Sequence, residues 1–176
     1  MKRVLFVLGQ LSDKDIEWMI DNGKKETVNQ GDFLIKQGET IESIYIVLSG
    51  SFRIFNEQNA DMNIAQIGSG EIVGEMSFLD ERPPSVSVEA TETSSVYSIS
   101  LSRMKQMMEV DTRFAARFYY SIGLFLSDRL RKTTGRLGYG ALEENEDIDE
   151  INLNVLSQIG QAGSRFSRML NKFAES

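Results

Sequence analysis

The segment from Gly68 to Val88 carries the residues whose types and spacing best suit ligand chemistry. It reads GSGEIVGEMSFLDERPPSVSV and lies between two runs with the composition of β-strands. Its glycines permit the backbone to approach a ligand closely, and Ser77 begins a short helical stretch whose first amides suit an anion such as phosphate. Glu75 would repel that phosphate, so its sensible role is to accept hydrogen bonds from a neutral sugar hydroxyl. Together these groups predict a nucleotide site.

The composition excludes most other chemistry. The 176 residues include 19 Lys plus Arg and 26 Asp plus Glu, and the net charge of -7 disfavours unaided binding to nucleic acid or anionic lipid. There is no Cys and no His, which removes disulfides, the usual zinc sites, thiol nucleophiles and Ser-His-Asp triads. Glu71 and Glu75 are paired carboxylates, but they lie in a turn without a nucleophile at recognisable spacing. We therefore expect a protein that is not an enzyme and holds no metal.

The first residues, MKRVLFVLGQL, are basic and then apolar. This run is too short to span a bilayer, and it lacks a convincing small-residue cleavage site. We therefore expect a cytoplasmic protein that does not contact a membrane.

Hydrophobic periodicity predicts the elements that must position the segment. Apolar residues at helical spacing after the capping candidate Ser12, with Asp15 three residues on, predict a short amphipathic helix over residues 11–23. From about Glu26 to Ser100, short runs rich in Val, Ile, Phe and Tyr are separated by Gly, Asn, Asp and Ser. The predicted fold class is therefore α+β, with an antiparallel, jelly-roll-like β-roll between an N-terminal helix and a long C-terminal helix.

The long helix is predicted over about residues 111–136, where large apolar residues recur every three or four positions. Its apolar stripe needs a cover, and we expect a parallel homodimer seam; the alternative is that the stripe packs on the roll of its own chain. The seam residues would be Phe114, Phe118, Ile122, Phe125 and Leu126. Four basic residues near the end of the helix suit its dipole and need no nucleic acid to explain them: Arg129, Arg131, Lys132 and Arg136.

The chain beyond the long helix divides into two parts. Six of the eight residues from Glu143 to Glu150 are acidic, which predicts a solvated linker over residues 138–152. Residues 153–176 have an apolar stripe opposite a basic one and predict an amphipathic tail helix. This helix either folds back onto its own chain or fills a groove on another protein. We expect residues 1–137 to form one domain that includes the long helix.

Spaced motifs in the first part of the chain resemble the cyclic-nucleotide-binding domain family. The motifs are Gly31, Gly38, Tyr45, Val47 and Gly50, then Gly74-Glu75, a Ser-Val-Ser-Val strand and a long helix ending FLSDRLRKTTGRLGYG. The resemblance covers about residues 5–136 and implies a β-roll whose phosphate-binding cassette holds a cyclic nucleotide. It also implies that the long helix closes over the base or forms a dimer seam. Within the family, the chain resembles bacterial members similar to the catabolite activator protein, without the DNA-binding domain that many of them append.

The resemblance implies roles for individual cassette residues. Glu75 matches the glutamate that binds the ribose 2′-hydroxyl, and the amides of Met76 and Ser77 match the phosphate-facing turn. The candidate ligands are cAMP and cGMP, and no other cofactor is expected. The implied ligand-binding residues are Gly74, Glu75, Met76, Ser77, Arg82, Ser85 and Ser87.

The phosphate-clamping arginine of the family has two candidate registers here. Counting back from Ser87 puts Pro84 where that arginine belongs, with Ser85 just after it. Registering the motif on Arg82 preserves the charge but requires a cassette two residues shorter. Loss of a bidentate arginine contact to phosphate would weaken a nucleotide by roughly ten- to a hundredfold.

Two functions therefore stay open. The first is a non-enzymatic regulatory module that senses a cyclic mononucleotide in the roll and relays its binding through the long helix. The second is a degenerate domain that acts as a dimerisation and protein-docking scaffold without nucleotide. We expect a homodimer through the long helix and a protein partner for the tail helix. We expect no DNA binding, because the 40 residues after Arg136 open with an acidic run and hold one amphipathic stripe.

Overall fold

Two antiparallel sheets form the centre of the molecule. The computed structural model describes residues 4–60, 62–136 and 153–174. The strands in these residues are β1 (Gly23–Val28), β2 (Phe33–Ile35), β3 (Ser43–Ser49), β4 (Ser51–Phe55), β5 (Asn63–Gly68), β6 (Ile72–Val73), β7 (Ser87–Ala90) and β8 (Ser94–Ser100). The first sheet has the order β1-β8-β3-β6 and the second the order β2-β7-β4-β5. All adjacent strands within each sheet are antiparallel, which confirms the predicted β-roll.

The first sheet is the middle layer of the molecule. Successive side chains of a strand point to opposite faces, and β3 is buried on both. Ile44 and Ile46 pack in a core shared with the helices, whereas Val47 packs in a second core between the two sheets. Phe52 and Val88 contribute to that second core from the other sheet. The order of layers is therefore helices, first sheet, second sheet.

The helices of the described residues are α1 (Val4–Gln10), α2 (Asp13–Asn22), α3 (Glu75–Asp80), α4 (Leu101–Val110), α5 (Thr112–Arg136) and α6 (Leu153–Ala174). α2 begins where the capping pattern predicts. The amide of Asp15 donates to the Ser12 hydroxyl at 3.3 Å, and the amide of Ser12 donates to the Asp15 carboxylate at 2.6 Å. These bonds satisfy two amides that the first turn leaves unpaired. α1 and α4 are helices that the sequence analysis does not predict.

α5 confirms the long helix, but its apolar stripe is covered by its own chain. Phe114 and Phe125 are 0% exposed, Phe118 is 2% exposed and Ile122 is 1% exposed, while Leu126 packs against the same core. That core also contains side chains of α1, α2 and the first sheet. The assignment of these residues to a dimer seam is therefore wrong. Packing of the stripe on its own chain, the alternative prediction, is what the structure shows.

The junction between α2 and the roll is tightly fitted. The hydroxyl of Tyr97, on β8, donates a hydrogen bond to the carbonyl oxygen of Met19 on α2. Gly23 follows α2 directly, and a Cβ atom added there would overlap the Tyr97 ring. Burial raises the pKa of the Tyr97 hydroxyl above its usual value, and the nearby carboxylate of Asp21 raises it further. The hydroxyl is therefore a neutral donor that joins helix to sheet.

α6 lies on α1 and α2 of its own chain. Ala162 and Met169 are 0% exposed and Phe166 is 4% exposed, which buries the apolar stripe of the predicted tail helix. Of the two predicted arrangements, the structure has the helix folded back. The predicted acidic linker, residues 138–152, lies outside the described residues. Within the described ranges, no helix is both long enough and apolar enough to cross a bilayer.

Candidate functional site

The cassette begins at a turn that requires glycine. Gly74 precedes α3 with φ 91°, a left-handed conformation that is strained for other residues. A Cβ atom at Gly74 would also lie 3.0 Å from the carbonyl oxygen of Ser43 and 3.0 Å from Cδ1 of Ile41. The turn brings Glu75, the first residue of α3, directly after the buried strand β6. Close packing of backbone on backbone therefore fixes the position of Glu75.

A cavity of about 300 Å³ opens beside this turn. Its walls are α3, the loop after α3, apolar side chains of the second sheet and Arg129 of α5. Small-ligand sites span roughly 300 to 1,000 Å³, so this volume suits a small ligand. Six of the predicted ligand-binding residues line it: Gly74, Glu75, Met76, Ser77, Arg82 and Ser85.

Ser87 is not among the residues that line the cavity. It is 0% exposed, and its hydroxyl donates to the carboxylate of Glu57 at 2.8 Å. The same hydroxyl accepts from the amide of Gln37 at 2.8 Å. Ser87 thus ties β7 to two neighbouring segments, and the structure does not bring it to the ligand cavity.

Glu75 is buried and paired with an arginine from the long helix. It is 2% exposed, and its Oε1 accepts from Nη1 of Arg129 at 2.5 Å. The Arg129 guanidinium also lies over the Phe125 ring, 5.0 Å from its centroid, which holds the side chain against the inner face of α5. The cassette and α5 are therefore joined at the cavity wall.

Burial raises the pKa of Glu75 above its usual value. The charge of Arg129, the amide of Glu75 itself and the Arg129 hydrogen bond act in the opposite direction, and the Glu71 carboxylate adds to the rise. The net pKa shift is upward, so burial destabilises the charged carboxylate more than its hydrogen-bond and ion-pair partners stabilise it. Buried carboxylates with raised pKa values in cavities are typical of functional sites.

Arg82 takes an outward position at the cavity rim. Its side chain is 84% exposed, and its nearest carboxylate is that of Asp80 at 3.9 Å. The preceding residue, Glu81, has φ 58°, and Lys105 of α4 holds its carboxylate at 2.5 Å. The loop after Arg82 is held to the turn that follows β2, because the carbonyl of Pro84 accepts from the amide of Gly38 at 2.9 Å. Arg82 and Pro84 both line the cavity, but neither register gives a buried arginine there.

The sequence analysis missed the role of Arg129, which it placed with the basic end of the long helix. A signal was present in the spacing. Arg129 lies four residues after Phe125 and so continues the buried stripe of α5 rather than its exposed face. A charged residue on a buried stripe predicts a buried partner, and Glu75 is that partner.

The fold and the cassette define a class of protein. Residues 25–111 match the family model of the cyclic nucleotide-binding domain. This match confirms the family that the spaced glycines and the Gly-Glu turn predict. The chain therefore carries a domain of the cyclic nucleotide-binding domain family.

Curated relatives of the chain include a transcriptional regulator. It is 26% identical over 157 residues to the cAMP-activated global transcriptional regulator CRP of Escherichia coli, covering 86% of this chain and 73% of CRP. It is 32% identical over 135 residues to the CRP-like protein Clp of Xanthomonas campestris pv. campestris, covering 74% of this chain. The chain spans 59% of the length of Clp.

A solved structure shows the same fold. It is a cyclic nucleotide-binding domain from Methylobacillus flagellatus, with a TM-score of 0.69 and 18% sequence identity. The match covers 81% of this chain and 85% of that chain. The matched part of the chain therefore has the fold of that domain.

Proposed function

We propose that this chain is a non-enzymatic, cytoplasmic regulatory module that binds a cyclic mononucleotide, cAMP or cGMP, beside Glu75 and relays its binding through α5. The observation that carries the proposal is the shared wall of the cavity. One side of it is the cassette carboxylate and the other is an arginine of the long helix, joined at 2.5 Å. A ligand that engages either group changes the contact between cassette and helix.

The chemistry of the two groups suits the two ends of a cyclic nucleotide. A ribose hydroxyl donates to the Glu75 carboxylate and so competes with Arg129 for it. The guanidinium that is released is a planar donor that suits a phosphate oxygen. Because the ligand replaces an internal ion pair, its binding energy shifts α5 only as far as it favours one arrangement over the other.

A specific observation favours the second function, a scaffold without nucleotide. Arg82 points outward, with 84% of its side chain exposed, and Pro83 and Pro84 supply no amide donors to a ligand. With Arg129 engaged by Glu75, the buried carboxylate of the cavity already has an ion-pair partner within the chain. In this alternative the domain serves dimerisation and protein docking, with α6 as the element that meets a protein partner.

A homodimer through α5 remains our proposal, on a different face from the predicted seam. The exposed residues Ala116, Tyr120, Gly123, Ser127 and Leu130 follow a 4-3-4-3 spacing, which is that of a two-stranded coiled coil. Tyr120 is 60% exposed and Leu130 is 67% exposed. Sedimentation equilibrium of the full chain and of Leu130→Glu tests this: we expect a dimer that the charge dissociates. A monomeric wild-type chain at high concentration would contradict it.

Isothermal titration of the full chain with cAMP and cGMP tests the nucleotide proposal. We expect saturable one-site binding in the micromolar range. Glu75→Ala should weaken it by roughly ten- to a hundredfold, because a hydrogen bond to a charged group is lost. The matched control is Glu109→Ala, which removes an exposed carboxylate of α4 outside the cavity lining and should leave affinity unchanged.

Three arginine variants, one of them a control, refine the same experiment. Arg129→Gln should weaken binding, whereas Arg113→Gln, an exposed arginine on the same helix, should not. If Arg82→Ala also weakens binding, the cassette uses the Arg82 register. Absence of heat and of any thermal shift at millimolar cAMP and cGMP would reject the nucleotide proposal and leave the scaffold.

A further inference from the structure

α6 is docked with a defined direction and register. Three ion pairs connect it to α2: Arg165 with Asp13 at 2.9 Å, Arg168 with Glu17 at 3.8 Å and Lys172 with Asp21 at 2.7 Å. Residue numbers rise together along both helices, so α6 runs in the same direction as α2. A basic edge on α6 thus faces an acidic edge on α2, and the buried residues of α6 lie beside it.

Arg165 differs from the other two cations because it is buried. Its Nη1 donates to the carbonyl oxygen of Leu8 at 2.9 Å and approaches that of Gly9 at 3.5 Å. Both carbonyls belong to the last turn of α1, where helices leave carbonyls unpaired and the dipole favours a cation. α1 has no basic residue of its own in that turn. α6 therefore supplies the C-terminal cap of α1.

α1 also contacts two segments that lead to the ligand site. The amide of Val4, at its first turn, donates to the carbonyl of Gly70 at 2.7 Å. Gly70 immediately precedes the short segment that leads through β6 to Gly74 and Glu75. α1 further packs against α5, the helix that carries Arg129. The same short helix is thus held at one end by the cassette strand and at the other by α6.

We propose that α6 is the output element of the site: its docking on α1 and α2 depends on the Glu75–Arg129 pair, and separating that pair releases α6. The structure holds the pair closed and α6 docked in one state. A group that binds only when the pair opens then lowers the docked population, because two coupled equilibria shift together. In its ligand-driven form the inference rests on the proposed function, but the dependence on the pair does not need a ligand.

The chain suits a direct distance measurement because it contains no cysteine. Spin labels at Ser167→Cys, on the exposed face of α6, and at Thr93→Cys, in the exposed turn before β8, report whether α6 is docked. Released α6 should move the pair distance by at least the width of a helix, about 10 Å, and broaden its distribution. The measurement uses the full chain with and without saturating cAMP or cGMP, and again with Arg129→Gln.

Docking variants calibrate the readout. Arg165→Ala removes the α1 cap and a partly buried ion pair, so it should raise the released population about tenfold. Arg168→Ala, which removes an exposed pair at 3.8 Å, is the matched control and should change that population less than about twofold. Circular dichroism of each variant checks that the roll is intact.

The outcomes separate this inference from the proposed function. Release of α6 by Arg129→Gln supports the inference, even if titration shows that neither nucleotide binds. Nucleotide binding with unchanged distances in both the liganded chain and Arg129→Gln overturns the inference and leaves the proposed function standing. Unchanged distances in Arg129→Gln without any nucleotide binding overturn both.

Discussion

Two buried carboxylates, Asp15 and Glu75, each pair with an arginine of α5, and the two sites behave in opposite ways. Each carboxylate residue is 2% exposed. Arg117 binds Asp15 through two parallel bonds, Nε to Oδ2 at 2.7 Å and Nη2 to Oδ1 at 2.8 Å. Arg129 makes one bond of 2.5 Å to Glu75. The first pair lies near the start of α5 and the second near its end.

The difference appears in the direction of each pKa shift. Burial works to raise the pKa of Asp15, but hydrogen bonds from Arg117 and from Ser12 outweigh it and the pKa falls below its usual value. For Glu75 burial is the stronger effect and the pKa rises. A carboxylate with every oxygen bonded is a structural lock. A carboxylate that burial still penalises can more readily exchange one hydrogen-bond donor for another.

The largest expected effect is that of Asp15→Ala. It removes both the cap of α2 and the bidentate pair with Arg117, so the free energy of unfolding should fall by about 3 kcal/mol. Urea denaturation measures this, with Asp21→Ala as control, because Asp21 makes an exposed pair with Lys172 and should cost under about 0.5 kcal/mol.

The pH dependence of Asp15→Ala sharpens the test. The native pKa of Asp15 lies below its usual value of 3.8, so its stabilisation is present above that pH and is lost as the pH falls through the native pKa. The difference in the free energy of unfolding between the wild type and Asp15→Ala should therefore shrink in acid. A deficit that stays constant down to about pH 3 would contradict the role of the ionised carboxylate.

Glu75→Gln should have the smaller effect and the opposite sign. Its amide mimics the neutral carboxyl that burial favours, so unfolding at neutral pH should become harder, by no more than about 1 kcal/mol. The raised native pKa of Glu75 means that its favourable contribution is full below its usual value of 4.5 and is lost as the pH rises through the native pKa. The higher free energy of unfolding of Glu75→Gln, relative to the wild type, should thus vanish in acid. A loss as large as that of Asp15→Ala would show that the two pairs are equivalent.

Elements with a local signal were predictable from the sequence. The start of α2 follows from Ser12 and Asp15, which bond to each other's amides within one turn. The extent of α5 follows from a long apolar period, and the roll follows from short strand-like runs between turn residues. α1 gave no such signal, because its residues VLFVLGQ offer no polar face from which a period could be read. α4 is not predicted because its buried residues, Met104 and Met108, make a single i, i+4 pair and set no longer apolar period.

Contacts between distant segments were not predictable in the same way. A periodic stripe on α5 shows that one face is buried, but it does not show whether a second copy or the same chain covers it. Glu75 and Arg129 are 54 positions apart, so their pairing depends on where the roll places α3 relative to α5. The position of Arg82 likewise depends on a loop held by Gly38 and Lys105, which no local pattern connects to it.

The fitted junction of Tyr97 over Gly23 has a mechanical consequence. Tyr97 fastens α2 to the roll, and Asp15 in turn fastens α5 to α2 at Arg117. Arg117 thereby becomes a fulcrum, with Arg129 at the end of a lever arm about 18 Å long at 1.5 Å per residue. A tilt of about 3° around that fulcrum displaces Arg129 by about 1 Å, enough to break a single hydrogen bond. Under the relay proposed above, an exchange of hydrogen-bond partners at Arg129 is therefore coupled to a small tilt of α5.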